Sequence, residues 1–457
     1  TAAGEKKKGA LADFRKQIPP DKRPKRLVAE LTGARIVRAA YSERQLNEVM
    51  VDFWMNHFNV YAAKGLDRVL IGSYERETVR PRIWGKFEDL LMATAKSPAM
   101  LFYLDNARSV AAAENRPATV RNGPRQGRAF GEQDWPDRRR RAMRGEPRLD
   151  SMKTRRPAKG FPAKGGLNEN YARELMELHT LGVDGGYTQQ DVTELARVLT
   201  GWSIARPEEG GGFVFRAALH DTKSKKVLGN VFPAGGGIGE GERMIYILAH
   251  HPATAHHIAF QLCQRLVADD PPAALVDRVA KTFLATDGDL RQTVRAIVSS
   301  PEFFDPIYYR AKMKSPFEYV VSSLRATGGE LNRPLTLARQ LQSMGEPLYL
   351  CQPPTGYSDT SSAWMNSGSL LARLNFALDL TGGRIEGVAV DSSGLLPDRF
   401  HGDSNALIDS LARELVGGDL SPDTRRTIEA NLVDKAAREK TALVGGLILG
   451  SPDFQRQ

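Results

Sequence analysis

Apolar residues recur at spacings of three and four along most of this chain, and this period constrains the fold more than any other feature. In residues 43–58, Leu46, Val49, Phe53 and Trp54 lie on one such stripe, which ends at His57. A stripe with this spacing occupies one face of an α-helix. The same period predicts further helices over 84–96, 168–181, 189–201, 240–249, 253–267, 272–284, 288–299, 315–328, 334–344, 367–379, 404–416, 422–431 and 434–449.

The lengths of these segments and their short connections favour helices packed on helices. We therefore expect a mostly α protein, built as a large orthogonal multi-helical array. The Gly-rich residues 205–239 are the main exception, and they predict at most a small β-hairpin near 213–229. No stretch approaches the roughly 18 consecutive apolar residues of a membrane-spanning helix.

The charge of the chain is concentrated in one segment. The chain has 457 residues and a formal net charge of +10, and residues 107–165 alone hold 16 Lys or Arg against 6 Asp or Glu. This segment is rich in Gly, Pro and Arg and lacks an apolar period, which predicts a long flexible insertion. The predicted parts are therefore an N-terminal helical part at 1–106, the basic insertion at 107–165, a central helical domain at 166–330 and a C-terminal helical part at 331–457.

Such a basic tract could bind a polyanionic polymer by neutralising its phosphates or other anionic groups. Its aromatic residues, Phe130, Trp135 and Phe161, are isolated and form no stacking platform, which disfavours non-specific nucleic-acid binding. The two cysteines, Cys263 and Cys351, fit no metal-ligand spacing, and whether they pair stays open. The chain begins at Thr1 without an apolar signal segment, which suggests a processed or truncated product.

The densest group of chemically capable residues lies in 168–202. On a helix, Glu169, Asn170, Arg173, Glu174 and Glu177 fall within one arc of about 140°, opposite an apolar face. Glu169–Arg173 and Arg173–Glu177 have the i,i+4 spacing of simple surface ion pairs. Glu174 and Glu177 lie one turn apart, close enough to share a metal or to divide into a general acid and a general base. Arg173 would then tune their charge.

His179 does not share the face of these glutamates, since it points about 200° away from Glu177 on an ideal helix. A metal motif built from this helix alone is therefore disfavoured, although His179 can serve either as a core residue or as a site residue with a partner from another helix. The following turn resembles half of a calcium loop, but helix capping explains it better. Gly182 suits a helix C-terminus, and Thr188 with Asp191 suits the start of the next helix.

Other segments carry further candidates. His57 ends an apolar helix, and His220 and Asp221 lie in a predicted loop or hairpin, where polar residues need not serve packing. Arg197 and Trp202 lie near the end of the next helix. They are equally consistent with a sugar-binding wall and with a structural role, in which Arg197 forms a buried ion pair and Trp202 packs in the core. Trp364 is a second candidate stacking residue. No nucleophile elbow, phosphate loop or dinucleotide fingerprint is present.

Several blocks of this sequence, in this order, resemble a large bacterial family catalogued as domain of unknown function 1800. They are FWMNHFNV (53–60), GLNENYARELMELHTLGVDGGYTQQDV (166–192), ARVLTGW (196–202), HHPATAHHIA (250–259), KSPFEYVVSSLRATG (314–328) and CQPPTGYSDTSSAWMNSGSLLARLNFA (351–377). The resemblance implies a helical protein exported to the periplasm or cell surface, with weak links to glycan or polyanion chemistry. It assigns no activity, so it implies no catalytic residue, and it departs at Gly356-Tyr357, where the family usually has Gly-Trp.

Together these observations predict an exported hydrolase that acts on a carbohydrate or related polymer. Its expected catalytic residues are Glu174, Glu177, Arg173, His57, His179 and His220, and its expected substrate-binding residues are Trp202, Trp364, Arg197 and Asp221. A divalent metal cofactor stays open. The alternative is a non-catalytic scaffold or binding protein of the cell envelope, or polyanion binding through the Arg-rich insertion.

Overall fold

The computed structural model of the protein describes residues 24–117, 166–206, 211–391, 403–432 and 437–457. The flexible insertion predicted at 107–165 lies outside these ranges from residue 118 onward. Within them the protein is mostly α-helical, as its apolar period predicts. No helix in these ranges is both long and apolar enough to cross a membrane.

Up to residue 250, the described residues contain eight α-helices and two π-helical segments. The helices are α1 Pro24–Tyr41, α2 Gln45–His57, α3 Asp67–Ser73, α4 Phe87–Ala95, α5 Pro98–Tyr103, α6 Glu169–Met176, α7 Gln189–Val198 and α8 Ile238–Ala249. The π-helical segments are Tyr74–Val79, which continues α3, and Glu177–Leu181, which continues α6.

Ten further α-helices follow among the residues described after position 250. They are α9 Pro252–Leu266, α10 Ala273–Ala285, α11 Leu290–Val298, α12 Pro316–Ala326, α13 Pro334–Ser343, α14 Ser367–Thr381, α15 Ser404–Val416, α16 Pro422–Ala430, α17 Ala437–Gly450 and α18 Pro452–Gln455. The helices α9 and α10 pack on each other, as do α14 and α17, and one continuous apolar core runs through the described residues.

Within the described ranges the strands are short and form two-stranded sheets. Trp202–Ile204 (β1) pairs with Phe213–Phe215 (β2), Lys225–Val227 (β3) pairs with Asn230–Phe232 (β4), and Glu330–Leu331 (β5) pairs with Val388–Ala389 (β6), all antiparallel. The hairpin expected near 213–229 is therefore displaced. The FVF segment pairs back to the residues after α7, and the true hairpin is β3–β4, which turns through Leu228 and Gly229.

The helix α1 is the largest element that the apolar period does not predict. Its buried residues include Thr32, Arg35, Ile36, Ala39 and Ala40, of which only Ile36 is a large apolar residue, so this face leaves no apolar stripe in the sequence. This helix packs on α3, α12 and α13. Its position depends on one of these buried polar residues, Arg35.

Arg35 belongs to a buried network of charges that joins four helices. Its guanidinium donates to Asp52 on α2 and lies over the rings of Phe317 and Tyr349. Arg265 on α9 donates to the other oxygen of Asp52 at 2.9 Å. Two carboxylates outside these three helices complete the set around Arg265: Glu318 on α12 at 2.9 Å and Asp359 at 2.7 Å.

Moving a charge out of water costs several kcal/mol unless partners replace the lost hydration. Arg35, Asp52 and Arg265 are all at least nine-tenths buried, and each has a partner of opposite charge. The buried charges therefore have their partners only when α1, α2, α9 and α12 are all packed together. We expect these four helices to unfold as one cooperative unit.

We predict that Asp52→Asn lowers the free energy of unfolding by about 3–5 kcal/mol, because it leaves two buried guanidinium groups without their shared counter-charge. Urea unfolding followed by circular dichroism measures this change. The matched control is Glu30→Gln, which breaks the exposed Arg26–Glu30 pair and should cost no more than about 0.5 kcal/mol. Equal stability of the two variants would show that the buried network does not hold the fold.

Candidate functional site

The helix α6 begins at a side-chain cap and presents the predicted acidic face. The Oδ1 atom of Asn168 accepts from the backbone N–H of Asn170 at 3.0 Å, which satisfies a donor that the first turn leaves free. Tyr171, Ala172, Leu175 and Met176 are buried on the opposite face. The amphipathic helix expected from the sequence is confirmed, and the side chains of Arg173, Glu174 and Glu177 are half-buried along its outer face.

The i,i+4 ion pairs expected on this face are replaced by contacts with α7. The side-chain amide of Gln189 lies between the charges: its nitrogen donates to Glu169 at 2.9 Å, and its oxygen accepts from Arg173 at 2.7 Å. Glu169 also accepts from the Thr193 hydroxyl at 2.9 Å. Glu169 thus ties α6 to α7, which separates its role from that of the two glutamates further along the helix.

Glu174 and Glu177 occupy unlike environments although they lie one turn apart. Burial raises the pKa of Glu174 above its ordinary value, and the neighbouring Glu177 raises it further, while Arg173 acts in the opposite direction. Glu177 accepts a hydrogen bond from the Tyr187 hydroxyl at 2.9 Å. In the part of the chain that the structure describes, the Glu174 carboxyl has no hydrogen-bond or ion-pair partner within contact distance.

The turn between α6 and α7 is built by helix-end chemistry. Gly182 ends the π-helical segment with φ of 80°, a backbone region that favours glycine. Thr188 and Asp191 form a reciprocal capping box at the start of α7. Asp191 also accepts from the backbone N–H of Leu228 at 2.7 Å, which fixes the β3–β4 hairpin against this turn. These contacts are those expected from helix capping. They also place the Tyr187 hydroxyl beside the carboxylate of Glu177.

His57 and His179 are brought together, but in the core behind the acidic face. The centres of their rings are 6.2 Å apart, and His257 on α9 lies 6.4 Å from His57. One ring nitrogen of His57 contacts the carbonyl oxygen of His179 at 3.2 Å and the other contacts the Gln261 amide oxygen at 2.7 Å. Burial lowers the pKa of both His57 and His179 from 6.5 to about 3. Both rings are therefore neutral at physiological pH.

His220 and Asp221 belong to a separate network beside the hairpin. One ring nitrogen of His220 contacts the carbonyl oxygen of Thr200 at 2.8 Å, and the other lies 3.4 Å from Glu240. Asp221 is buried and accepts two hydrogen bonds from Arg197, which also binds both oxygens of Glu194. These groups are matched to one another and hold the segment after α7 in place.

The structure thus divides the residues predicted for one site among three places. No hydrogen bond or ion pair among the described residues joins His220 to the Glu174–Glu177 pair or to His57. The expectation that His57, Glu174, Glu177 and His220 share one cleft gains no support from these contacts and stays a prediction. Arg197 and Asp221 are corrected from substrate-binding residues to a structural ion pair, because each already satisfies the other.

Neither predicted stacking tryptophan presents its ring to solvent. Trp202 is 0% exposed, packs edge-on against Phe213 and lies against Gly241, where an added Cβ would stand 2.3 Å from the ring. Trp364 is 7% exposed and donates from its ring nitrogen to the carbonyl oxygen of Ser358 at 3.1 Å. Both are core residues, so their assignment as sugar-stacking walls is withdrawn.

Sequence reasoning missed a polar chamber next to the Arg35–Asp52–Arg265 network. Its volume is about 40 Å³, room for very few water molecules. Glu346 lies in its wall, accepts from the backbone N–H of Phe317 at 2.8 Å, and has a pKa raised to about 8 by burial and by Asp52. The only signal in the sequence is a charge inside an apolar run, such as Asp52 in VMVDFWM.

No group of three or more His, Cys, Asp or Glu side chains within the described ranges is arranged to hold a metal ion. Cys263 and Cys351 are both free and buried. Burial raises the pKa of the Cys263 thiol to about 12 and that of the Cys351 thiol to about 11, which keeps both protonated at neutral pH. Neither thiol is therefore poised as a nucleophile.

Fold and site together define a multi-helical protein whose half-buried carboxyl pair stands in front of a core of neutral histidines. A family model described as "Protein of unknown function (DUF1800)" matches residues 3–456, so the chain belongs to that family. No curated protein and no solved structure matches the chain. The membership confirms the family resemblance of the sequence blocks and assigns no activity.

We predict that acid weakens the fold through the buried histidines. Their folded-state pKa values lie near 3 and their ordinary value is 6.5, so the unfolded chain binds more protons between these limits. The contribution of the two neutral histidines to the free energy of unfolding is complete above about pH 6.5. It decreases as the pH falls, by about 2 kcal/mol for each histidine at about pH 5. Urea unfolding at about pH 7.5 and about pH 5 measures the loss.

The variant His179→Asn should show a pH dependence smaller by about 2 kcal/mol over this interval, whatever its absolute stability. His256→Gln is the control, because the His256 side chain is 60% exposed and its removal should leave the pH dependence unchanged. An unchanged pH dependence in His179→Asn would contradict a neutral buried ring.

Proposed function

We propose that the protein is a hydrolase that cleaves a carbohydrate or related polymer with Glu174 and Glu177 as its acid and base. The observation that carries the proposal is the unlike environment of two carboxyl groups one helical turn apart. A raised pKa on one member of such a pair keeps a proton available for the leaving group, while the other carboxyl acts ionised.

Glu174 is the proton donor in this proposal. Its burial and the nearby Glu177 both favour the protonated form, and no partner among the described residues occupies its carboxyl. Glu177 is the base or nucleophile, positioned by the Tyr187 hydroxyl. Arg173, which is held by Gln189, supplies positive charge beside both groups. His57 and His179 support this helix from behind and do not transfer protons, because their rings are buried and neutral.

The reaction class follows from the groups that are available. Cleavage of a glycosidic bond requires a proton donor and a carboxylate that either activates water or attacks directly. Glu174 and Glu177 provide these two functions, whereas the protonated thiols of Cys263 and Cys351 are unsuited to acyl transfer. The half-buried position of the pair at the surface would let a chain too large for a closed pocket reach it.

A non-catalytic scaffold or binding protein of the cell envelope is the second candidate. The observation in its favour is that many buried or half-buried charges are matched to one another and serve the fold, among them Arg35, Asp52, Arg197, Asp221 and Arg265. Export to the periplasm or cell surface is part of both proposals and rests on the resemblance alone. Polyanion binding through the Arg-rich insertion concerns residues that lie largely outside the described ranges.

We predict that Glu174→Gln and Glu177→Gln each lower kcat by about 100-fold or more, since each removes one of two groups that the chemistry needs. The measurement is release of reducing ends from a panel of soluble polysaccharides. Glu169→Gln is the matched control on the same helix, because Glu169 binds Gln189 and Thr193 instead of the proposed reaction centre.

The pH dependence adds a second readout. The raised pKa of Glu174 should keep the wild-type enzyme active at a pH where an ordinary glutamic acid has already lost its proton. Undiminished rates in both glutamine variants would exclude this pair as the catalytic site. Failure of the wild-type protein to cleave any polysaccharide of the panel would favour the scaffold.

A further inference from the structure

The polar chamber whose wall contains Glu346 has the properties of a small binding site. Its volume of about 40 Å³ leaves room for roughly three non-hydrogen atoms, and it reaches the surface at Ser358, an exposed residue of its wall. The wall also contains two aromatic side chains, Tyr357 and Trp364, whose ring centres lie 6.1 Å apart. A cavity of this kind admits a small ligand from solvent and excludes a polymer.

The charges that line the polar chamber balance only if Glu346 is neutral. The two cations of the wall are Arg35 and Arg265, and each pairs with Asp52. Arg265 also pairs with Asp359, the second carboxylate of the wall. Glu346 is the third carboxyl group, and no Lys, Arg or His among the described residues forms an ion pair with it. When Glu346 is ionised, the wall therefore holds one negative charge too many.

The surroundings of Glu346 favour its protonated form. Burial and the neighbouring Asp52 raise its pKa to about 8, and Glu318 adds to the rise. The backbone N–H of Phe317 and the Ser315 hydroxyl act in the opposite direction. The remaining titratable or charged groups around it are Arg35 on α1, Arg265 on α9, Arg373 on α14, and Tyr349, Cys351, Tyr357 and Asp359 of the same loop.

A buried acid of this kind opposes folding at neutral pH. In the unfolded chain a glutamic acid titrates near its ordinary value of 4.5, so at pH 7 the Glu346 carboxyl must take up a proton as the chain folds. A glutamine of the same size would fill the position without this cost. Titratable groups that reduce stability in this way are concentrated at functional sites. The position of Glu346 in the wall of a chamber that reaches solvent is consistent with such a site.

We propose that the polar chamber binds the ammonium group of a small primary alkylamine, with ionised Glu346 as its counter-charge and the rings of Tyr357 and Trp364 beside it. The ligand displaces the proton of Glu346 into solvent and restores the charge balance of the wall. A carboxylate forms its strongest hydrogen bonds with a charged donor, and aromatic rings attract a cation. The chamber provides both kinds of group within a volume that suits an ammonium group and one or two carbon atoms.

The wall of the chamber suits other occupants less well. An anion would meet three carboxyl groups, while both guanidinium groups already pair with carboxylates. A divalent metal ion needs several oxygen or nitrogen ligands, and no group of three or more His, Cys, Asp or Glu side chains in the described part of the chain is arranged to hold one. A quaternary ammonium ion such as tetramethylammonium is larger than the chamber. A primary ammonium group is small and needs only one counter-charge.

Isothermal titration of the purified protein with methylammonium chloride tests the proposal. We expect saturable binding at about pH 8, and an affinity that falls about tenfold for each pH unit below this value, because Glu346 must release one proton for each ligand bound. Methylammonium itself stays charged over this range, as a lysine side chain does. Potassium chloride, tetramethylammonium chloride and sodium acetate at the same concentrations are the reference titrations, and none of them should show saturable binding.

Variants of the wall link the binding to the chamber. Glu346→Gln keeps the size of the side chain and removes its charge, so it should weaken methylammonium binding at about pH 8 by at least about tenfold and abolish the pH dependence. Asp67→Asn is the matched control, because Asp67 is also buried with a pKa raised to about 8 but does not line the chamber. Tyr357→Leu should weaken binding about fivefold, whereas Tyr357→Phe keeps the ring and should not.

Urea unfolding at about pH 7 shows that the Glu346→Gln variant is folded. Its midpoint should lie at a higher urea concentration than that of the wild type, since glutamine takes up no proton on folding. Absence of methylammonium binding at about pH 8 would overturn the proposal, as would binding that Glu346→Gln leaves unchanged. Saturable binding of acetate would identify an anion site instead. None of these measurements requires catalysis, so their outcome is independent of the hydrolase proposed for Glu174 and Glu177.

Discussion

The guanidinium of Arg265 is the group on which the arrangement of the helices depends. It reaches Asp52, Glu318 and Asp359, three carboxylates from parts of the chain that are far apart in sequence. Asp52 also forms an ion pair with Arg35. The charges of the two buried arginines are therefore balanced only when all these segments are packed together. A charge cluster of this kind adds little to stability beyond what apolar residues would supply, but it penalises every incomplete arrangement.

The helix α2, which carries Asp52, also contacts the segment behind the candidate site. On one side, the Asn56 side chain binds both the N–H and the carbonyl oxygen of Tyr357 at 2.7 Å, and Asn59 donates to the carbonyl oxygens of Cys351 and Pro353. On the other side, His57 contacts the backbone directly behind the acidic face of α6. The loop that closes the polar chamber and the helix that carries the carboxyl pair are therefore positioned by the last turn of α2 and the residues that follow it.

Local patterns explain what the sequence could predict. The strongly periodic helices and the capping box at Thr188 depend on neighbours within a few residues, and all were predicted correctly. The helix α1 was missed because Arg35 and Thr32 stand where an apolar stripe would show. The roles of Arg197 and Trp202 depend on Asp221 and Gly241, about 24 and 39 positions away respectively. Whether such a residue faces a partner or a ligand is decided by tertiary packing, which spacing alone does not record.

The π-helical segment Glu177–Leu181 has an implication for how this sequence can change. A π turn holds one residue more than the α turn it replaces, so the chain before and after it belongs to two different helical frames. Deleting a single residue there would remove the extra residue and leave an α-helical turn, with the residues beyond it in nearly the same orientation. The positions that change are those inside the segment, where each residue would move by one place relative to the core. A one-residue deletion within these five residues should therefore be tolerated better than a one-residue insertion.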